Sequence, residues 1–466
     1  MVPNKADVVV VGAGLSGLTA ATEVQRAGLS CAVLEAMDRV GGKTLSISAS
    51  SQGGLAELGA AWLNDTNQFY MYALAKKFGF ELEIQRHKGL NLFEDSKGKI
   101  HSVEYGKEYL NDEEFYEDLA KQADLTHLVH PELSQHAMKH DKMSFAAYAR
   151  QFSSDAELIA DDIAKTLLGV QAKDISALYM FSYTKSGAGL DNILSDLKDG
   201  GQYMRNRHGN QNFSVRLAND LKPDTVHLSA PVTKIEQHGE GSCTVTTLTG
   251  HEISCKRVII SIPTSLYHRI QFIPALPEKK KHLSDTTALG FYGKVIVVYE
   301  YPWWRQAGLS GIFTSFNGPI CCSRDTCIVE DHQYSITCMI TADAGKDWSR
   351  LPPIEKHKLT MNQFNAAFST HVKKIPDPLN VILHDWSEEP WIRGAPSPTM
   401  PPGLMTSDAG KSLRDPFGSI HFAGTETAII WKGYMEGAVR AGIRGAGEVI
   451  DLLVPESERR YLTSFL

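Results

Sequence analysis

The chain has 466 residues, 42% of them apolar and 22% charged, with a formal net charge of −7. That length exceeds one ordinary hydrophobic core and predicts two or three domain-sized bodies. The composition excludes a disordered or fibrous protein, and the mild acidity argues against broad nucleic-acid binding.

The N-terminal valine run continues into a glycine motif rather than a cleavage site, so it reads as a strand and not as a secretory signal. No run of about 18 apolar residues is present to span a membrane. Seven scattered cysteines, without metal-ligand spacing, predict reduced buried thiols and a reducing compartment. A soluble cytoplasmic protein is expected. The final Ser464-Phe465-Leu466 lacks the basic middle residue of the peroxisomal address, which leaves that location as the weaker alternative.

Residues 8–11 are four valines, the composition of a buried parallel strand. They lead into Gly12-Ala13-Gly14-Leu15-Ser16-Gly17 and then a helical pattern through Leu18, Ala21 and Val24, with Gly28 suited to its stop. A second apolar strand, residues 31–34, ends on Glu35. The parts make a complete β-α-β unit with an acid about 20 residues beyond the glycines. Gly12 permits the tight turn, Gly14 lets the backbone approach a pyrophosphate, and Gly17 lets helix and strand pack closely. Leu15 and Ser16 open a helix whose free N–H groups and positive dipole end suit phosphates. Glu35 can accept hydrogen bonds from the ribose hydroxyls.

The unit alone does not choose between FAD and a nicotinamide. Beyond Glu35 come Ala36 and Met37, and then Gly41-Gly42-Lys43, a second glycine pair that brings N–H groups and positive charge to the diphosphate. Residues 34–44 resemble the corresponding segment of FAD-dependent amine oxidases. That family usually has arginine where this chain has Met37 and Lys43; lysine keeps the charge and loses the bidentate fork.

The resemblance extends along the chain and is closest to the monoamine oxidases. Residues 57–62, ending in Ala60-Ala61-Trp62, resemble the turn that passes the flavin ring. Residues 231–235 resemble the strand whose backbone meets the adenine at Val232. The most specific block, 421–438, resembles the C-terminal flavin-binding segment and includes Gly424, Thr425, Tyr434 and Met435. Its small residues allow a close approach of backbone to a flavin. Residues 86–214 match only loosely.

The resemblance implies an α/β fold in which a Rossmann-type FAD domain of the glutathione-reductase kind (residues 1–85, 215–285 and 385–466) is interleaved with an α+β substrate domain (86–214 and 286–384). It also implies three reacting-centre residues. Lys294, by itself an unremarkable lysine opening an apolar strand, takes the place of the lysine that holds a water near flavin N5. Trp386 takes that of a tryptophan beside the flavin, and Tyr434 that of one wall of a paired aromatic cage.

The implied reaction is hydride transfer from the α-carbon of a small-molecule amine to flavin N5, giving an imine, with dioxygen reduced to hydrogen peroxide. Ala395 stands where animal monoamine oxidases carry the cysteine bonded to flavin, so the FAD is expected to be non-covalent. Pro396 stands where the second cage tyrosine usually is, so that wall is either missing or supplied elsewhere, for example by Trp391 or Trp431, which points to a bulkier or stiffer substrate. A related dehydrogenase or oxidative cyclase acting on a nitrogen-containing natural product stays open on the same grounds. A third reading, a catalytically silent flavin-binding scaffold, predicts disruption of Lys294, Trp386 or the C-terminal helix; none is disrupted, and a test of flavin bleaching by candidate substrates separates it from the other two.

No metal site is expected. His136 and His140 have i,i+4 spacing, but no acid stands at a convincing ligand position beside them or beside His127 and His130. Residues 112–118 read as a solvated acidic helix face, and 278–281 as an exposed helix start after Pro277.

Overall fold

The computed structural model describes residues 2–107, 109–239 and 241–458. The 464–466 tripeptide lies outside them. A five-stranded parallel sheet runs in the order Val226–His227, Cys31–Leu34, Val8–Val11, Arg257–Ile260, Ile420–Phe422. The central strand Val8–Val11 is buried on both faces, which explains four β-branched residues in a row. Val8 and Val10 face a core built with helices Leu15–Arg26 and Met435–Leu453. Val9 and Val11 face the four-stranded sheet that contains Val232–Gln237.

The two helices cross at close quarters. A Cβ on Gly442 would lie 2.3 Å from the Ser16 carbonyl oxygen, and one on Gly17 would lie 2.0 Å from that of Gly12. Gly12 itself has φ +99°, a conformation that other residues rarely adopt. These glycines set the distance between strand and helix, and so the position of the helix N-terminus.

A seven-stranded mixed sheet forms the second body, in the order Asn380–Asp385, Tyr292–Tyr299, Tyr334–Thr341, Ile320–Asp325, Leu309–Ser315, Leu90–Glu94, Ile100–Glu104. Helices Glu113–Leu125, Ser154–Leu168 and Ala177–Ser186 build a third core. In Ser154–Leu168 the apolar residues recur at 156, 159, 160, 163, 164 and 167, Ser153 caps the Ala156 N–H at 3.0 Å, and Gly169 stops the helix at φ +67°. No helix among the described residues is long and apolar enough to cross a membrane.

Two local expectations need correction. The acidic cluster is not simply solvated. Asp112 caps the Phe115 N–H at 3.0 Å, and Asp118 accepts from the Tyr148 hydroxyl at 2.5 Å. Helix Glu278–Thr286 does begin after Pro277, but Lys280 is buried, because the helix packs on the turn at residues 412–414. Its ammonium donates to the Ser412 and Leu413 carbonyls and lies 4.3 Å from the Phe422 ring centre.

Burial lowers the Lys280 pKa to about 7. Between about pH 7 and about pH 10 the folded chain therefore binds fewer protons at this site than the unfolded chain, so stability rises with pH there. The thermal midpoint of the wild type should gain on that of Lys280→Met across this window. A constant difference would exclude the titration.

Candidate active site

One continuous cavity of about 670 Å³ runs from the glycine turn of the parallel sheet to the face of the seven-stranded sheet. Gly12, Gly14, Leu15, Ser16, Glu35, Ala36, Gly42, Lys43 and Val232 line one end. Ala60, Ala61, Trp62, Lys294, Trp386, Thr425, Tyr434 and Met435 line the middle. Gly17 and Gly424 do not open onto it. Gly17 is packed against Gly12 and Ser261, and Gly424 is packed over the Glu426 carboxylate.

The narrow end fits a dinucleotide on its own geometry. No side chain caps helix Leu15–Arg26, so the N–H groups of its first turn stay available to an anion. A Cβ on Gly14 would meet nothing within 4 Å, and one on Gly42 would lie 3.5 Å from the Gly14 Cα, so two side-chain-free loops face each other. Glu35 is held by the Ala13 N–H at 2.6 Å and the Met37 N–H at 2.9 Å. Burial raises its pKa, and these donors act against that. Lys43 also lines the cavity; burial lowers its pKa and the Glu426 carboxylate counters the shift. Met37 packs with Trp386, Ile392 and Ala395 in an apolar wall, which is what this chain has in place of an arginine contact.

Lys294 lies on an interior strand of its sheet and is buried, so it is no snorkelling edge residue. Its ammonium donates to the Glu57 carbonyl at 3.1 Å and the Gly59 carbonyl at 2.5 Å, 5.6 Å from the Trp62 ring centre. Two of its three N–H groups are thus spent on the turn at 57–59, and the third is free for the cavity. Burial lowers its pKa to about 8, opposed by the buried Glu57 carboxylate, whose own pKa burial raises to about 7. Trp386 is locked in place by donating to the Leu58 carbonyl at 2.8 Å.

Tyr434 has an aromatic partner that sequence reasoning missed. Tyr183, from helix Ala177–Ser186, lies 6.2 Å away, ring to ring, with a 33° interplanar angle, and both line the cavity. Burial keeps both phenols neutral by raising their pKa values. Trp391 lines the cavity as well. Trp431 instead buttresses Tyr434 from behind, 4.8 Å away at 74°, its indole N–H on the Asn67 carbonyl at 3.2 Å. Tyr292 adds a further wall, its hydroxyl donating to the Thr166 carbonyl at 3.1 Å. All seven cysteines are buried and free, and Cys322 lines the cavity. Among the described residues no cluster of three or more ligand side chains could hold a metal.

A parallel dinucleotide sheet that opens onto a buried aromatic chamber holding the desolvated Lys294 has the arrangement of a flavoprotein oxidoreductase. Comparison with known proteins places it further. The profile of the flavin containing amine oxidoreductase family matches residues 15–450. The chain is 30% identical over 456 residues to the probable flavin-containing monoamine oxidase A of Dictyostelium discoideum, spanning 96% of this chain and 98% of that one. It is 31% identical over 467 residues to the flavin-containing amine oxidase B of Homo sapiens, spanning 98% and 88%.

Among solved structures, cyclohexylamine oxidase from Brevibacterium oxydans IH-35A superposes with a TM-score of 0.88 at 27% identity, over 97% of this chain and 100% of that one. Putrescine oxidase bound to putrescine does so with 0.86 at 28%, over 96% and 99%. The chain belongs to the flavin-containing amine oxidoreductase family, whose members act on the C–N bonds of amines.

Proposed function

We propose that this protein is an amine oxidase that binds FAD non-covalently, converts an amine to an imine and reduces dioxygen to hydrogen peroxide. The observation that carries the reading is the junction of the uncapped helix and glycine loops with the Lys294, Trp386 and Tyr434 chamber in a single cavity. Residues 1–85, 215–285 and 385–466 would hold the cofactor, and 86–214 and 286–384 would receive the amine. The five parallel strands fall in the first set and nearly all of the seven-stranded sheet in the second, which supports that division.

When bound, FAD supplies the two-electron acceptor for the hydride that leaves the α-carbon. The chain's own residues do the rest. Gly14, the first turn of helix Leu15–Arg26 and Gly42 take the diphosphate, and Glu35 takes the ribose. Tyr434 and Tyr183 present an apolar aromatic wall that favours the uncharged amine, the form with a lone pair to assist hydride departure. Trp386 and Met37 exclude water. The Lys294 ammonium supplies fixed positive charge where negative charge builds on dioxygen.

Ala395 lines the cavity without a thiol, so acid precipitation should leave the flavin in the supernatant. Flavin in the pellet would refute the non-covalent assignment. Peroxide release across a panel of primary and cyclic amines tests the activity, which fails if none yields peroxide above the flavin-free background. The names of the relatives support an amine oxidase and lend nothing to a cyclising dehydrogenase.

A further inference from the structure

The cavity continues past the aromatic chamber to a charged far wall that the reading above leaves without a role. Arg324, on the strand Ile320–Asp325, is enclosed by the fold, yet its side chain opens onto the cavity. One guanidinium nitrogen donates to the Ser323 carbonyl at 2.9 Å. Among the described residues no carboxylate oxygen lies within 4.0 Å of it, so most of its donor fork is unspent.

Asp196 and Asp162 lie close enough to offset the cost of burying this charge, yet neither reaches the fork, and a buried guanidinium with free N–H groups is ordinarily completed by a direct carboxylate contact or by a ligand. Two strand spacings and two residues separate Arg324 from Lys294 in the sheet register, about 12 Å between Cα atoms. A substrate of several carbons can reach from one end to the other.

Three other charged groups face this region. Asp196 is already engaged by the Tyr105 hydroxyl. Asp162, on helix Ser154–Leu168, has the Tyr109 hydroxyl at 3.5 Å, and burial raises its pKa to about 6. Lys107 stands exposed among the lining residues. Arg324 keeps its charge at every accessible pH, and its unspent fork, unlike the carboxylates already engaged by the Tyr105 and Tyr109 hydroxyls, offers free donors to a ligand.

We propose that the far end of the cavity is a subsite for a carboxylate on the substrate, held by Arg324, so that the amine oxidised carries an acid at its other end. This rests on the amine-oxidase reading for the reacting end only.

The test uses the FAD-loaded enzyme and straight-chain amines of four to eight carbons, each compared with its ω-carboxylate and ω-ammonium counterparts. At the best-fitting length the ω-carboxylate should exceed the plain amine by about tenfold or more in kcat/KM, the scale of one charge-assisted hydrogen bond. Arg324→Gln should abolish that ratio, and Arg324→Lys should keep it in weakened form, which also serves if the glutamine variant does not fold. A preference for the ω-ammonium series would overturn the proposal and assign the wall to Asp162 and Asp196. Equal rates for all three series would overturn it too.

Simple carboxylic acids of the same lengths separate the two readings. They should perturb the flavin absorbance of the wild type and not of Arg324→Gln, even if no amine reduces the flavin. In that event the amine reading falls and the acids alone decide the subsite; no perturbation by any acid would then remove it.

Discussion

Replacing Lys294 by methionine is expected to slow reoxidation of the reduced enzyme by dioxygen by about 100-fold, while the anaerobic reaction with amine changes little. Methionine matches the length and apolar stem of lysine but carries no charge. The ammonium is held on the Glu57 and Gly59 carbonyls, so its charge is fixed in position before oxygen arrives. That preorganisation is what makes a buried charge effective where the same charge in water would be weak.

The pH dependence follows with a definite sign. Burial lowers the Lys294 pKa to about 8, so the ammonium is lost as pH rises through that value rather than near 10.4 as for an ordinary lysine. Reoxidation by the wild type should therefore fall above about pH 8, and that of Lys294→Met should be flat there. Stopped-flow mixing of dithionite-reduced enzyme with oxygenated buffer measures both. A variant as fast as wild type would remove Lys294 from the oxygen reaction.

A second large effect is expected at the strand-helix junction. Alanine at Gly17 would place its Cβ 2.0 Å from the Gly12 carbonyl oxygen, a backbone atom that cannot swing aside. The helix must move off the strand, at a cost of about 3 kcal/mol and with its N-terminus displaced from the cavity. The Gly17→Ala protein should be both less stable and deficient in flavin.

Gly14→Ala is the control. Its Cβ would meet nothing within 4 Å and would project into the cavity. The flavin-free protein should keep its unfolding midpoint, and flavin should bind about tenfold more weakly or worse. Calorimetry on flavin-free protein and fluorescence titration with FAD separate the two effects. If both variants lost stability equally, the division of labour between these glycines would be wrong.

The cofactor end was legible because its physics is local. Strand, turn, helix and acid occupy 28 consecutive positions from Val8 to Glu35, and each residue's role depends on neighbours in the chain. The block at 421–438 was legible for the same reason. The substrate end was not. Tyr183 becomes the neighbour of Tyr434 only when helix Ala177–Ser186 packs beside the N-terminus of a helix some 250 residues later, and no spacing announces that.

Glu57 stood in plain view next to the flavin-facing turn, yet its influence on Lys294 exists only because a distant strand buries both. Asp162 reads as a polar position on an amphipathic helix, and Arg324 as one residue of a strand; the cavity between them is a tertiary fact. Lys280 misled for the converse reason: a lysine-rich helix start looks exposed until something packs over it.

In the proposed reaction an amine delivers its electrons to a flavin held in this cavity. The FAD-loaded protein, mixed without oxygen with the amines and amino acids of the substrate series, tests it directly. The oxidised-flavin absorbance should bleach with at least one of them and return on admission of air, with one hydrogen peroxide released per amine consumed. A flavin that dithionite reduces, but that stays oxidised with every amine offered, would contradict it.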